Sequence, residues 1–239
     1  MKRVRSCIAT ALVCSCLLPR AQAAAVEPVV AVGRPCTYAV RGDGTLWAWG
    51  RKGPHLGVGI SSPVPVGTQW RPLQIGAGTD WRTVASAGYH ALAIRADGSL
   101  WGWGQGASAI GVATLGPDAA YPWYYPSPIR VGTDADWKAV GTGWDGSAGI
   151  KTDGSLWAWG SLYKDRAPGE PPVGTPKRLG TDGYWELLAV GPNHALAIKR
   201  DGSLWAWGGG SHAQTAGVGG ARPEQLGTDA DWVAVSTGE

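Results

Sequence analysis

Asp97-Gly98-Ser99-Leu100-Trp101-Gly102-Trp103-Gly104 decides the fold of this chain, because the same octapeptide pattern, Asp-Gly-(Ser/Thr)-Leu-Trp-(Ala/Gly)-Trp-Gly, recurs at 43–50, 153–160 and 201–208. Asp-Gly between apolar stretches is the signal of a two-residue, type I′ hairpin loop. Joined to Ala91-Leu92-Ala93-Ile94-Arg95-Ala96, it predicts a hairpin with Ile94 opposite Trp101, Leu92 opposite Trp103 and Ala93 opposite Gly102. The same register predicts Val40 opposite Trp47, Ile150 opposite Trp157 and Ile198 opposite Trp205. It places Ala39/Ala48, Gly149/Ala158 and Ala197/Ala206 on the second face. Each hairpin then has one bulky and one small face, and neither is polar. A sheet apolar on both sides is covered on both sides, as in blades stacked face to face. The predicted core is Trp47, Trp49, Trp101, Trp103, Trp157, Trp159, Trp205 and Trp207. Burial of each is worth on the order of 2–3 kcal/mol.

A second motif runs out of phase with the first. Gly-Thr-Asp followed closely by Trp occurs at 78–81, 132–137, 180–185 and 227–232. Trp81, Trp137 and Trp185 each precede the first Trp of the next Trp-x-Trp by 20 residues, so length varies only between Trp-Gly and Gly-Thr-Asp. Octapeptide spacings of 54, 56 and 48 residues are those of a propeller or related array. The expectation is an all-β β-propeller of about four four-stranded units, whole or partial, over about 28–76, 81–131, 137–179 and 185–226, with a partial unit at 232–239. The first unit has Glu27 where the others have Trp. Two readings of the ends stand open: the final strand pairs with the first unit and closes a ring, or the chain belongs to a longer array.

Composition agrees with a packed domain. Hydrophobic residues make up 44% and charged residues 16%; there are 38 glycines, 15 tryptophans and no phenylalanine, so Trp supplies most of the large apolar volume. Residues 1–23 read as a secretory signal peptide. Lys2, Arg3 and Arg5 precede the short apolar run 7–18, and Ala21-Gln22-Ala23 is a small-x-small cleavage site. This predicts export to the periplasm or the extracellular space. Cys14 fits a lipoprotein cleavage site poorly, so a lipidated Cys16 is disfavoured. Beyond residue 23 the chain has 17 basic and 18 acidic residues, which gives no support for nucleic-acid binding. Cys36 is the one cysteine left there, so no internal disulfide is expected. No stretch after residue 25 suits a membrane-spanning helix.

At these residues the chain resembles the regulator of chromosome condensation repeat family. The resemblance rests on Gly191-Pro192-Asn193-His194-Ala195-Leu196-Ala197-Ile198 through Gly208, on Tyr89-His90 through Gly104, and on His55-Leu56-Gly57-Val58-Gly59, which has His for the family's Gln. It covers 28–239. It implies a β-propeller, usually of seven blades, where this chain has four recognisable units. No site of the family's nuclear exchange factor carries over, because those loops do not match. A secreted β-lactamase inhibitor protein with this type of propeller, which binds an enzyme through a face of loops, is the nearer analogy.

The repeat also sorts the candidate sites. His90 and His194 share a position with Cys36 and Gly146; a structural histidine bonding to backbone explains them better than a metal site. Asp43, Asp97, Asp153 and Asp201 are turn residues. Arg41, Arg95, Lys151 and Lys199 form a basic ring read as a solvated sheet edge. Residues that break the repeat are the candidate partner contacts: Trp70, Tyr121, Trp123, Tyr124, Tyr125, Trp144, Tyr163 and His212. No catalytic set, metal site or cofactor is assigned. The expected function is an exported, non-enzymatic scaffold that binds a protein partner through loops 51–76, 105–128, 161–176 and 209–224. The alternatives are glycan binding by Trp123, Tyr124 and Tyr125, or a hydrolase whose site is not recognisable. Self-association stays open.

Overall fold

The computed structural model describes residues 27–59, 67–112, 124–163, 173–209, 220 and 222–238. Among them are four antiparallel four-stranded sheets, each strand joined to the next in sequence. Blade 1 is β1 (Val29–Val32), β2 (Cys36–Val40), β3 (Leu46–Arg51) and β4 (Thr68–Gln74). Blade 2 is β5 (Trp81–Ser86), β6 (His90–Arg95), β7 (Leu100–Gln105) and β8 (Tyr124–Arg130). Blade 3 is β9 (Trp137–Thr142), β10 (Gly146–Lys151), β11 (Leu156–Gly160) and β12 (Val173–Arg178). Blade 4 is β13 (Trp185–Val190), β14 (His194–Lys199), β15 (Leu204–Gly208) and the short β16 (Glu224–Gln225). A 3-10 turn at Pro54–Leu56 and helix α1 (Ala107–Ile110) follow the third strands of blades 1 and 2.

The hairpins form where the octapeptides stand, in a register one residue away from the predicted one. Ile94 lies opposite Leu100, Ala93 opposite Trp101, Leu92 opposite Gly102 and Ala91 opposite Trp103. Blades 1, 3 and 4 repeat this, with Ala39, Gly149 and Ala197 opposite Trp47, Trp157 and Trp205. The cause is the turn. The N–H of Arg95 donates to the carbonyl of Ser99 and that of Gly98 to Arg95, which closes a three-residue loop with Gly98 left-handed at φ 79°. Asp97 favours this loop because its carboxylate accepts both the N–H of Ser99 (2.9 Å) and its hydroxyl (2.6 Å). The Ser99 hydroxyl oxygen in turn accepts the indole N–H of Trp101 at 2.9 Å. Thr45, Ser155 and Ser203 relay the same way to Trp47, Trp157 and Trp205. The motif is therefore one hydrogen-bonded unit, not merely a turn followed by a strand.

The shift of register redistributes the faces. One face of each hairpin sets Trp across from a small residue; the other carries Leu, Ile or Val beside Ala or Gly. The second face of blades 1, 2 and 3 receives the Trp face of the next. Tyr38, Val40, Leu46 and Ala48 of blade 1 pack with Trp81, Val84, Ala91, Ala93 and Trp103 of blade 2. Leu92, Ile94 and Leu100 pack with Trp137 and Trp159, and Ile150 and Leu156 with Trp185 and Trp207. Blades 2 and 3 are covered on both sides, as expected; only the partition of side chains changes.

Junctions between blades are also fixed by backbone. The N–H groups of Trp81, Trp137 and Trp185 donate to the carbonyls of Gly44, Gly98 and Gly154, each at 3.1 Å. A Cβ on Gly98 would stand 2.3 Å from the carbonyl oxygen of Ala135 in the following segment, so that glycine is required for close approach as well as for its φ. The basic ring is not the solvated edge expected of it. Lys151 is buried, its ammonium 5.1 Å and 4.4 Å from the ring centres of Trp137 and Trp157, and paired with Asp134 at 2.7 Å and Asp136 at 3.1 Å. Arg95 and Lys199 sit over the pairs Trp81/Trp101 and Trp185/Trp205 in the same manner. Arg41, over Trp47 alone, is the exposed member.

Candidate partner-binding face

In an antiparallel sheet the first and third connections emerge at the same edge. The short loops at 33–35, 87–89, 143–145 and 191–193 therefore share a face with the long loops after β3, β7, β11 and β15. The Asp-Gly turns and the basic ring lie on the opposite face.

The roots of the long loops are pinned between blades. Leu56, Ile110 and Leu162 are fully buried, each at the start of one loop. The carbonyl of His55 accepts the hydroxyl of Tyr38 and, at 3.1 Å, the indole N–H of Trp103 in the next blade. The carbonyl of Ala109 likewise accepts the hydroxyl of Ser147 at 2.8 Å and the indole N–H of Trp159 at 2.9 Å. Gly57 and Gly111 are both left-handed, and a Cβ on either would meet the indole nitrogen of Trp103 or Trp159 at 2.7 Å or 3.0 Å. Trp103 and Trp159 thus each clamp the loop of the blade before them. The segments beyond the clamps are where the units differ.

His90 belongs to this clamp. Ser147 gives its proton to Ala109, so its oxygen accepts from His90 Nε2 at 2.8 Å, which places the ring proton on Nε2. Burial pushes the His90 pKa down to about 4, so the ring is neutral and fixed. The partner is a side-chain hydroxyl, where backbone was expected. His55, deep at the loop root, donates from Nδ1 to the carbonyl of Tyr89 at 2.8 Å and meets the Tyr89 and Tyr124 rings. Desolvation lowers its pKa as well. Cys36 is a free, buried thiol whose pKa burial raises to about 11.

The proposed contact residues separate into three groups. Tyr121, Trp123 and His212 lie outside the described residues, as does most of each loop tip. Trp144 is exposed on the loop face under the guanidinium of Arg34, 5.1 Å from the ring centre, and Tyr163 is half-buried. Trp70 is 84% exposed, on the outer strand β4. Tyr124 and Tyr125 belong to strand β8, not to a loop. Tyr125 is 1% exposed within the core, so it is withdrawn as a contact residue: β8 turns it inward opposite Gly104, which leaves room for its ring. Tyr89, exposed on the same face, escaped the sequence reading. The signal was present, because Tyr89 stands where the other units have Pro35, Asp145 and Asn193.

A cleft of about 340 Å³ lies among the inner strands, walled by Val32, Ser86, Thr142, Trp144, Val190 and Thr237. Four blades ranged about such a cleft, with no ladder closing the first sheet to the last among the described residues, define a partial β-propeller built from repeats. Residues 186–214 match the model of the regulator of chromosome condensation (RCC1) repeat. The chain is 30% identical over 169 residues to the RCC1 domain-containing protein RUG3, mitochondrial, of Arabidopsis thaliana, a match covering 66% of this chain and 35% of RUG3. Among solved structures, human WBSCR16 superposes with a TM-score of 0.73 at 19% identity over 88% of this chain and 56% of its own. Yeast RCC1 (Prp20), solved bound to Kap60, superposes with a TM-score of 0.67 at 19% identity over 84% of this chain and 49% of its own. A second Prp20p structure, from Saccharomyces cerevisiae, is described with its binding properties to Gsp1p and histones. The repeats of this chain are therefore similar to the RCC1 repeat, with the family model matched at residues 186–214. The chain spans about a third of RUG3 and about half of the two solved relatives. Among the described residues no helix is long and apolar enough to cross a membrane.

Proposed function

We propose that this protein is an exported, non-enzymatic scaffold that holds a protein partner on the face carrying its long loops. Export rests on residues 1–23, which have the charged, apolar and small-residue segments of a signal peptide. The observation that carries the binding reading is the clamp: Trp103 and Trp159 hold the loop roots at His55 and Ala109 rigidly, while the segments beyond them vary. A rigid scaffold that presents variable loops on one face is a recognition architecture, and it spares the partner much of the ordering cost of binding. Tyr89 and Trp144 supply exposed aromatic surface beside those roots, with Arg34 stacked on Trp144. The solved yeast relative bound to Kap60 supports protein binding as a use of this fold.

The test is affinity capture by the exported protein, with the partner identified by mass spectrometry. The reading expects one captured protein to lose at least ten-fold in affinity when Tyr89 and Trp144 are both changed to Ala, with circular dichroism unchanged. Undiminished capture by that variant contradicts it. Export is checked separately by the N-terminal residue of the protein recovered outside the cytoplasm, expected at position 24.

A further inference from the structure

On the face of the Asp-Gly turns, blade 4 departs from the repeat at two neighbouring places. The residue just before the Trp that opens a blade is Asp80 in blade 2 and Asp136 in blade 3, and Asp231 stands before Trp232; in blade 4 it is Tyr184. The residue just before the turn aspartate is Gly42, Ala96 and Thr152 in blades 1, 2 and 3; in blade 4 it is Arg200. An acid is thus exchanged for a neutral aromatic, and a small neutral residue for a cation. The two replacements touch: the N–H of Arg200 donates to the carbonyl of Tyr184 at 2.9 Å.

The backbone changes with them. Tyr184 has φ 73°, the one non-glycine residue with a positive φ among the described residues. A Cβ on Gly98 or Gly202 would meet the carbonyl oxygen of Ala135 or Ala230, whereas one on Gly154 would meet the backbone nitrogen of Tyr184 at 2.7 Å. The Gly183–Tyr184 peptide is therefore turned over relative to its counterparts, and Tyr184 leaves the chain in a direction of its own, 69% exposed. A left-handed tyrosine is strained, and strain of this kind gathers at functional sites. The charges shift as well. Lys151 in blade 3 holds two carboxylates, Asp134 at 2.7 Å and Asp136 at 3.1 Å. Lys199, over Trp185 and Trp205, holds Asp182 at 3.0 Å, and Tyr184 brings it no second one. A pocket of about 500 Å³ opens at this place, walled by Thr181, Asp182, Tyr184, Lys199, Arg200 and Asp201.

We infer that this pocket receives a carboxylate, the Asp or Glu side chain of a protein partner, between Lys199 and Arg200 and beside the Tyr184 ring. The surface lies opposite the loop face of the proposed function and does not rest on that reading. The incoming carboxylate does for Lys199 what Asp136 does for Lys151. The acids already present leave room for it. Asp201 is turned to the N–H and hydroxyl of Ser203 at 3.0 Å and 2.6 Å. Glu186 accepts from Arg200 Nε at 3.3 Å but is shared with Lys138 at 2.7 Å, and the Arg200 side chain stays 61% exposed. A guanidinium and an ammonium converging on one carboxylate make charge-assisted hydrogen bonds. Tyr and Arg at the mouth of a pocket are also the residue types that carry interface energy. The exposed Tyr184 ring extends the contact beyond the pocket, which suits a protein segment better than a free acid.

The test is isothermal titration calorimetry with an acetylated, amidated peptide carrying Glu in a Gly background, and with the same peptide carrying Gln. The Glu peptide should bind about ten-fold tighter than the Gln peptide. Tyr184→Asp and Arg200→Thr place the residues of blade 3 in blade 4, so the fold should tolerate both without a lower melting temperature. Each should weaken the Glu peptide by about ten-fold. Arg130→Ala, in blade 2, should leave binding unchanged. Equal binding of the two peptides, binding indifferent to Tyr184→Asp and Arg200→Thr, or an equal loss with Arg130→Ala would each overturn the proposal. Glutarate binding as tightly as the Glu peptide would overturn the assignment to a protein partner.

Discussion

The indole N–H of Trp103 in blade 2 donates to the backbone carbonyl of His55 in blade 1 at 3.1 Å, and Trp159 makes the equivalent bond to Ala109 at 2.9 Å. One side chain thus joins two blades and anchors the root of a long loop. Trp103→Phe removes this bond together with part of the ring, which leaves the His55 carbonyl to Tyr38 alone and opens a small cavity. The expected cost is about 2–3 kcal/mol, measured by urea denaturation.

Gly57 tests the same clamp from the other side. Its φ of 77° is left-handed, and a Cβ there would lie 2.7 Å from the Trp103 indole nitrogen. Gly57→Ala should destabilise by about 1–3 kcal/mol and weaken partner capture more than the equivalent change at Gly76. Gly76 shares the positive φ but meets nothing within 4 Å. Paired melting curves and capture assays on the two variants check this.

Acid should unfold the protein in two stages. Desolvation lowers the His90 pKa from 6.5 to about 4, so the unfolded chain binds a proton that the folded chain refuses. Stability should therefore be full above about pH 6.5 and fall by about 3 kcal/mol as the pH drops to about 4. His55 and His194, lowered by the same cause, act in the same direction. The carboxylates of Asp43, Asp97, Asp153 and Asp201 are held below 3.8 chiefly by the Thr45, Ser99, Ser155 and Ser203 hydroxyls, so their contribution is lost only below that value. Melting temperatures from pH 8 to 2 should show both stages. His90→Gln should shrink the upper stage, and Ser99→Ala the lower.

Lys151 should matter far more than Arg41, although both belong to one ring of the repeat. Lys151 is buried between two indoles and two carboxylates, whereas Arg41 is largely exposed over one indole. Lys151→Gln leaves Asp134 and Asp136 without their cation and should cost about 2 kcal/mol by denaturant titration. Arg41→Gln should cost less than about 0.5 kcal/mol.

The burial of Cys36 is checked by chemistry. With its thiol pKa raised to about 11, it should resist aromatic disulfide reagents at pH 8 in the native protein and react promptly in denaturant.

The fold was legible because its signal is repeated. Four copies of Asp-Gly-(Ser/Thr)-Leu-Trp mark the four hairpins, one to each described blade. The register was misread because Asp-Gly fits both a two-residue turn and the last two positions of a three-residue loop. Ser99 decides between them, through hydrogen bonds to Asp97 and Trp101 that only the folded turn displays. The basic ring was misread for a related reason. A Lys beside a turn looks solvated until Trp137 of its own blade and Asp134, just before that blade, are placed against it. On the candidate face, Trp144 was found because it breaks the repeat, and Tyr89 met the same criterion one residue before His90. Tyr125 also breaks it, yet points inward, because strand alternation and the absence of a side chain at Gly104 set its direction.

The central claim is that interlocked Trp faces between blades hold this molecule together. Comparing Trp103→Phe with Trp70→Phe tests it most directly, because Trp103 is fully buried at a blade junction and Trp70 is 84% exposed on an outer strand. The account predicts a drop of several degrees in the unfolding midpoint for the first and none for the second. Equal midpoints, or a larger loss at Trp70, would contradict it.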